Sequence, residues 1–128
     1  MALRTPVSTD QAPAAIGAYS QAIRTGSLLF CSGQVPLDPS SGELVKEDAA
    51  GQTRRCLENL DAVCQAAGAS LTDAVRCTVY LADMEDFARV NEAYADFFGE
   101  AAAPARVAIG VAALPRGADV EIDAIVAL

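Results

Sequence analysis

The apolar residues of this chain change their period along its length, and the order of those changes restricts the architecture more than any single motif. From Asp48 to Ala67 they recur at three and four, through Ala49, Thr53, Cys56, Leu57, Leu60, Val63, Cys64 and Ala67. Arg54, Glu58, Asp61 and Gln65 take the wet side. That is the stripe of a helix, and Gly68 is placed to end it. From Ala74 to Leu81 the period falls to two, with Val75, Cys77, Val79 and Leu81 on one face of a strand. A second helical stripe follows in Phe87, Val90, Asn91, Tyr94, Phe97 and Phe98. Asp83 can cap that helix, and Glu85 and Asp86 complement the positive end of its dipole.

The flanks supply strands. Ala2 to Gly17 reads as irregular, broken by Pro6 and Pro13, with room for a short strand about Val7 or earlier. Tyr19 to Thr25 and Ser27 to Gln34 read as two strands turned at Thr25-Gly26. Val35 to Gly42 is dense in turn formers and reads as a loop. After a strand over Pro104–Leu114, Pro115-Arg116-Gly117 turns the chain into a last strand, Asp119 to Leu128. Strand, strand, helix, strand, helix, strand, strand gives an α+β fold, a mostly antiparallel mixed sheet with two helices packed on one face. At 128 residues the chain is expected to be one domain, 1–128.

Two features ask for a functional explanation. On the Pro104–Leu114 strand, strict alternation puts Val107, Ile109, Val111 and Ala113 on a core face and Arg106, Ala108, Gly110 and Ala112 on the other. A guanidinium beside almost no side chain suits a small anion, although the face could equally be solvated. Asn91 interrupts an apolar stripe, and an amide there must find hydrogen bonds. It can pin a neighbouring loop backbone or reach a ligand. On the last strand, Val120, Ile122, Ala124 and Val126 continue a core face and Asp119, Glu121 and Asp123 lie opposite. Arg106 and Glu121 would then share one surface, while Asp119 and Asp123 read as an ordinary charged face. That leftover sheet face is too apolar in sum to stay wet, so another subunit is expected to cover it.

Composition excludes several classes of chemistry. There is no His, so a Ser-His-Asp triad, a Cys-His pair and a His-liganded metal site are all excluded. Cys31, Cys56, Cys64 and Cys77 make no close pair of the kind that binds zinc or does redox work, and read as small buried hydrophobes. No Gly-rich phosphate loop is present. A net charge of −8 argues against nucleic acid, whose phosphates demand a basic footprint. No cationic segment followed by an apolar run opens the sequence, and no stretch is long enough to cross a bilayer, so a soluble cytoplasmic protein is expected. A hydrophobic content of 52% is high for a small monomer and favours burial between subunits.

Four blocks carry a family resemblance: Ala12-Pro13-Ala14-Ala15-Ile16-Gly17-Ala18-Tyr19-Ser20-Gln21-Ala22, Ser32-Gly33-Gln34-Val35-Pro36-Leu37-Asp38-Pro39, Val90 through Phe98, and Pro104-Ala105-Arg106 through Val120-Glu121-Ile122. In order and spacing they closely resemble the RidA/YjgF (Rid) family. Its members are small reactive-intermediate deaminases, also called the endoribonuclease L-PSP or translation-initiation-inhibitor family. The resemblance implies a single Rid-type domain of chorismate-mutase-like fold, assembled as a homotrimer with sheets inward and three sites in the clefts between subunits. It assigns carboxylate binding to Arg106, pocket shaping to Asn91, closure over the ligand to Tyr19, site lining to Ser32 and Gly33, and the attacking water to Glu121. Two positions depart from the family pattern: Ala18 stands where Pro is common, and Ala108 where Cys is common. The first implies a looser Tyr19 loop and the second a larger pocket lined by Ala108.

The implied reaction is hydrolysis of 2-imino acids and their enamine tautomers, such as 2-aminoacrylate, to 2-keto acids and ammonium. A tautomerised imine is already electrophilic, so the protein must mainly orient it and deliver water, with no metal or cofactor. Arg106 would anchor the carboxylate and Glu121 would polarise the water. The alternative is a regulatory module that holds a keto acid without turning it over. The endoribonuclease activity ascribed to some relatives is poorly matched by the net charge and the lack of His.

Overall fold

The computed structural model describes residues 3–128. Ala2, the first residue of the expected irregular segment, lies outside them. Among the described residues six strands form one sheet: β1 (Thr5–Val7), β2 (Ala22–Thr25), β3 (Leu28–Gln34), β4 (Ala74–Leu81), β5 (Ala105–Gly110) and β6 (Val120–Ala127). Their order across the sheet is β1-β2-β3-β6-β4-β5. Every pairing is antiparallel except β4 with β5, which is parallel. Two helices, α1 (Ala49–Ala66) and α2 (Phe87–Phe98), cover one face, so the architecture is the α+β arrangement read from the periods.

Helix α1 forms where its pattern demands. The Asp48 carboxylate accepts from the Gly51 N–H at 2.9 Å, and Gly68, at φ +77°, lets the chain leave after Ala67. Its stripe through Cys56, Leu57, Leu60, Val63 and Cys64 is wholly buried against Leu29, Val79, Leu81, Ile122 and Val126 of the sheet. Two polar residues of α1, Gln52 and Asn59, are buried as well. Asn59 donates to the carbonyls of Val35 and Leu37, holding the loop after β3, and Gln52 exchanges hydrogen bonds with Asp119 at the start of β6. All four cysteines are free and buried, as their placement in the patterns implies. Burial holds the Cys56 and Cys77 thiols protonated, and Cys64 is held so by a hydrogen bond with Cys31 and then by burial.

Several expectations from the sequence are corrected. Tyr19 to Gln21 is not strand. Gln21 turns inward, accepting from the Thr9 N–H at 2.7 Å and donating to the carbonyl of Pro13 at 2.7 Å, which folds the Ala12–Gly17 segment back on the sheet. Val75 is exposed rather than in the core, because the register of β4 against β6 slips between Ala74 and Arg76. Asp83 caps a single 3-10 turn, Met84–Asp86, and α2 begins only at Phe87. The strand around Arg106 ends at Gly110, short of Leu114.

The largest correction concerns the facing of β5. Its parallel register puts Arg106 level with Cys77, Ala108 with Val79, and Gly110 with Leu81. Neighbours level across a sheet share a face, and Cys77, Val79 and Leu81 are core residues. Arg106, Ala108 and Gly110 therefore stand on the helix side, and Val107 and Ile109 on the open side. The small residues are there because space is short: a Cβ at Gly110 would come within 2.9 Å of Met84 Cγ. The apolar ones, Ile109 among them at 42% exposed, line the face that no helix covers.

Candidate functional site

The Arg106 side chain runs off edge strand β5 onto α2. Its Nη1 donates to Asn91 Oδ1 at 2.7 Å, and its guanidinium carbon lies 4.9 Å from the centre of the Tyr94 ring and 5.6 Å from that of Phe87. One amide and two aromatic faces thus orient the fork, while the residue stays exposed. Asn91 neither pins a loop nor stands free to grip a ligand alone; its oxygen is spent on aiming the guanidinium. Beside this group opens a cleft of about 460 Å³, with Asn91, Tyr94, Phe98, Ala103 and Arg106 in its wall. Ala108, half-buried against the core, follows Arg106 on the same side of β5. Tyr94 lines this cleft and carries the guanidinium on its ring, though periodicity counts it only as core. Its position three residues after Asn91 marks it once α2 is known to lie over Arg106.

The other site residues gather elsewhere. Glu121 lies on β6 opposite Tyr80 of β4, with its side chain on the open face of the sheet. Gly33 is its neighbour on β3: a side chain there would run into the Glu121 carboxylate. That close approach is the physical reason for a glycine at this point of the strand. A register shift between Cys31 and Gln34 brings the Ser32-Gly33 pair out of the regular ladder. Burial first, and the Asp123 charge second, push the Glu121 carboxyl above its ordinary value, so it holds a proton more readily than a solvated carboxylate.

Tyr19, about half exposed, lines a second cavity of about 400 Å³ together with Gly33. The phenol oxygen accepts from the Ile16 N–H at 3.3 Å, so the ring is folded against its own loop. Ser32 places its hydroxyl on the carbonyl of Ser20 at 2.6 Å, tying that loop to β3. Arg116 also lines this cavity, in left-handed backbone at φ +62°, and donates to the Gly42 carbonyl at 3.2 Å. It belongs to the Pro115-Arg116-Gly117 turn, which in the sequence alone is a connector between strands.

Within one chain the site residues thus form two groups. Arg106, Asn91 and Ala108 lie on the helix side at the β5 edge, and Glu121, Gly33 and Tyr19 gather at the open face. The sheet and the width of β4 separate the two, so Arg106 and Glu121 do not share one surface of a single chain.

The model for the family described as endoribonuclease L-PSP matches residues 9–128. The mouse protein named 2-iminobutanoate/2-iminopropanoate deaminase is 50% identical over 123 residues, 96% of this chain and 90% of that one. The crystal structure of RidA from the Antarctic bacterium Psychrobacter sp. PAMC 21119 superposes with a TM-score of 0.92 at 44% identity, covering 97% of this chain and 99% of that one. Escherichia coli TdcF, solved with bound serine, gives the same TM-score at 41% identity over 97% of this chain and 98% of its own. On this agreement of sequence and fold, the chain belongs to the endoribonuclease L-PSP family, the RidA/YjgF family.

Proposed function

We propose that the protein is a cofactor-independent hydrolase. It converts 2-imino acids and their enamine tautomers, 2-aminoacrylate among them, to 2-keto acids and ammonium, in clefts between the subunits of a homotrimer. One observation carries this reading: an aimed but unpaired guanidinium on one side of the sheet, and a carboxyl shifted toward protonation on the other. Neither group can complete a site in its own chain, and a neighbouring copy laid across the open face supplies what each lacks. The exposed Phe30 and Ile109 on that face give the neighbour an apolar surface to bury. The deaminase name of the mouse relative and the serine held by TdcF, itself a small carboxylate, support the substrate class.

In this reading Arg106 takes the substrate carboxylate through both arms of its fork, one of them braced by Asn91. A water held by Glu121 of the adjoining subunit adds through its oxygen to C2 of the imine. The imine reacts as its N-protonated iminium, so the C=N electron pair becomes the amine lone pair of a carbinolamine, and Glu121 accepts the proton that the water gives up. Glu121 returns that proton to the amine nitrogen; the C2–N bond breaks as C2=O forms, and the hydroxyl proton passes to the departing ammonia, which leaves as ammonium with the keto acid. A net charge of −8 and the absence of His give RNA cleavage little support.

The test is direct. An amino-acid oxidase generates the imino acid in situ, and its decay is followed with and without the protein. Acceleration that disappears in Arg106→Ala supports the hydrolase. Tight keto-acid binding with no acceleration would make the protein a binding module instead. Light scattering at micromolar concentration decides the trimer.

A further inference from the structure

The open face of the sheet carries more chemistry beside Glu121 than a base needs. Because β6 alternates, Glu121 and Asp123 stand side by side on that face, two residues apart. Strand β4 runs next to them, with Tyr80 level with Glu121 and Thr78 level with Asp123. The Tyr80 hydroxyl does not serve its level neighbour. It reaches along the face and donates to Asp123 Oδ2 at 3.0 Å, while the Thr78 N–H donates to Oδ1 of the same carboxylate at 3.1 Å. Both oxygens of Asp123 are thereby fixed, and the donors nearest Glu121 are turned away from it.

We propose that Tyr80 and Asp123 are a positioning pair for the reaction, fixing a second negative charge beside Glu121 so that Glu121 acts as a stronger base. The proposal rests on the assignment of Glu121 as the base. Within its own chain the groups facing Glu121 agree with it, while the Arg106 of a neighbouring copy, across the proposed cleft, is the cation that the Asp123 charge offsets. From β3 the facing residue is Gly33, which brings no charge. From β4 it is Tyr80, whose own hydroxyl is raised by burial and then by its bond to Asp123. Across the sheet, on its helix side, the Cys56 thiol of α1 is held neutral by burial and adds no charge. From β6 itself it is Asp123. The Arg116 side chain, on the far wall of the cavity beside Gly33, is engaged with the Gly42 carbonyl.

Two carboxylates at this strand spacing are about 7 Å apart, close enough to couple at a half-buried site. Asp123→Asn keeps an acceptor for the Thr78 N–H and a polar partner for Tyr80 but removes the charge. The low-pH limb of turnover should then move down by about half a pH unit to one unit. Tyr80→Phe keeps the charge and loosens its hold, so the limb should stay at or above its original position. A purely structural pair would lower the rate in both variants and leave the limb in place.

The deciding measurement needs no activity. The Glu121 side-chain carboxyl is followed by carbon NMR through a pH titration of the full-length protein, its resonance assigned by loss in Glu121→Gln. A lower midpoint in Asp123→Asn, or in Asp123→Ser should the first variant not fold, is the expected result. An unchanged midpoint overturns the proposal. Failure of the unmodified protein to speed imine decay would instead overturn the hydrolase reading, and the carboxyl titration would still decide the role of the pair.

Discussion

If Arg106 and Glu121 act together only across two copies of the chain, two inactive variants should rescue one another. In Arg106→Ala every cleft lacks its carboxylate anchor, and in Glu121→Gln every cleft lacks its base. Co-expressed in equal amounts and assembled at random, about three quarters of the trimers contain both kinds of chain. Going around such a mixed ring, one cleft receives Arg106 from a Glu121→Gln chain and Glu121 from an Arg106→Ala chain, and so is intact. One intact cleft in three, in three quarters of the particles, restores about a quarter of the unmodified activity.

The magnitude stands far above either parent. Removing Glu121 as acid/base costs about one to three powers of ten. Removing a partly desolvated partner of a carboxylate costs on the order of 2–5 kcal/mol, or about thirtyfold to several thousandfold. The assay is imino-acid decay on the tagged and purified mixed particles, with each parent measured alone. A mixture no more active than the mean of its parents would refute the reasoning, since it would require the anchor and the base to come from one chain. A dimer of the same design would also return about a quarter, so particle mass by light scattering accompanies the assay.

Other outcomes follow from the same geometry. Gly33→Ala drives a methyl into the Glu121 carboxylate and should lower kcat by about ten- to a hundredfold, with little change in keto-acid affinity; equal kcat would show that Glu121 does not need that space. Asn91→Ala releases one arm of the guanidinium and should raise KM by about three- to thirtyfold, with a smaller effect on kcat, in steady-state kinetics. Glu121→Gln should also change stability. Burial and Asp123 raise the folded-state carboxyl above its unfolded value, so stability is lost as pH rises through that window. The amide escapes this loss, and its thermal midpoint should exceed the original by about 1–4 °C at pH 7, the gain fading as pH falls below the ordinary carboxylate range.

Period and turn chemistry make most of the fold legible. The stripe of α1, its Asp48 cap and its Gly68 exit need no tertiary information, and the alternation of β6 places Glu121 and Asp123 on the open face directly. What sequence hides are contacts made by polar residues inside apolar patterns. A loop-pinning amide reads as a natural role for Asn91, yet Asn59 fills it from within the α1 stripe, three residues after Cys56 and four before Val63, and the loop it holds lies far off in sequence. The facing of β5 is hidden for a different reason. Alternation says which residues share a face but not which face is inner, and hydrophobicity marks the inner side only when solvent covers the outer one. Val107 and Ile109 are apolar on the side no helix covers. Pattern alone singles out Arg106 and Asn91, the candidate roles of Tyr19, Ser32 and Gly33 rest on the family blocks, and the partition of these residues between two faces is visible only in the paired sheet.

That partition has a consequence for how such a site is controlled. A carboxylate anchor and a base placed together in one chain would attract one another, and the guanidinium would be neutralised by the group meant to activate water. Here the sheet keeps them apart within one chain. The guanidinium is steadied by a neutral amide and two aromatic faces, which orient it without discharging it. The carboxyl is pushed toward its protonated form by burial and a like charge rather than drawn down by a cation. Each half is thus charged for the partner it lacks: the anchor for an anionic substrate, the base for a proton. A substrate carboxylate bound at Arg106 would also screen the guanidinium from Glu121, so their mutual attraction is greatest when the cleft is empty and least when the carboxylate fills it. On the proposed trimer, activity would be a property of the cleft between copies, and a chain that folded without assembling would carry every candidate residue and no complete site.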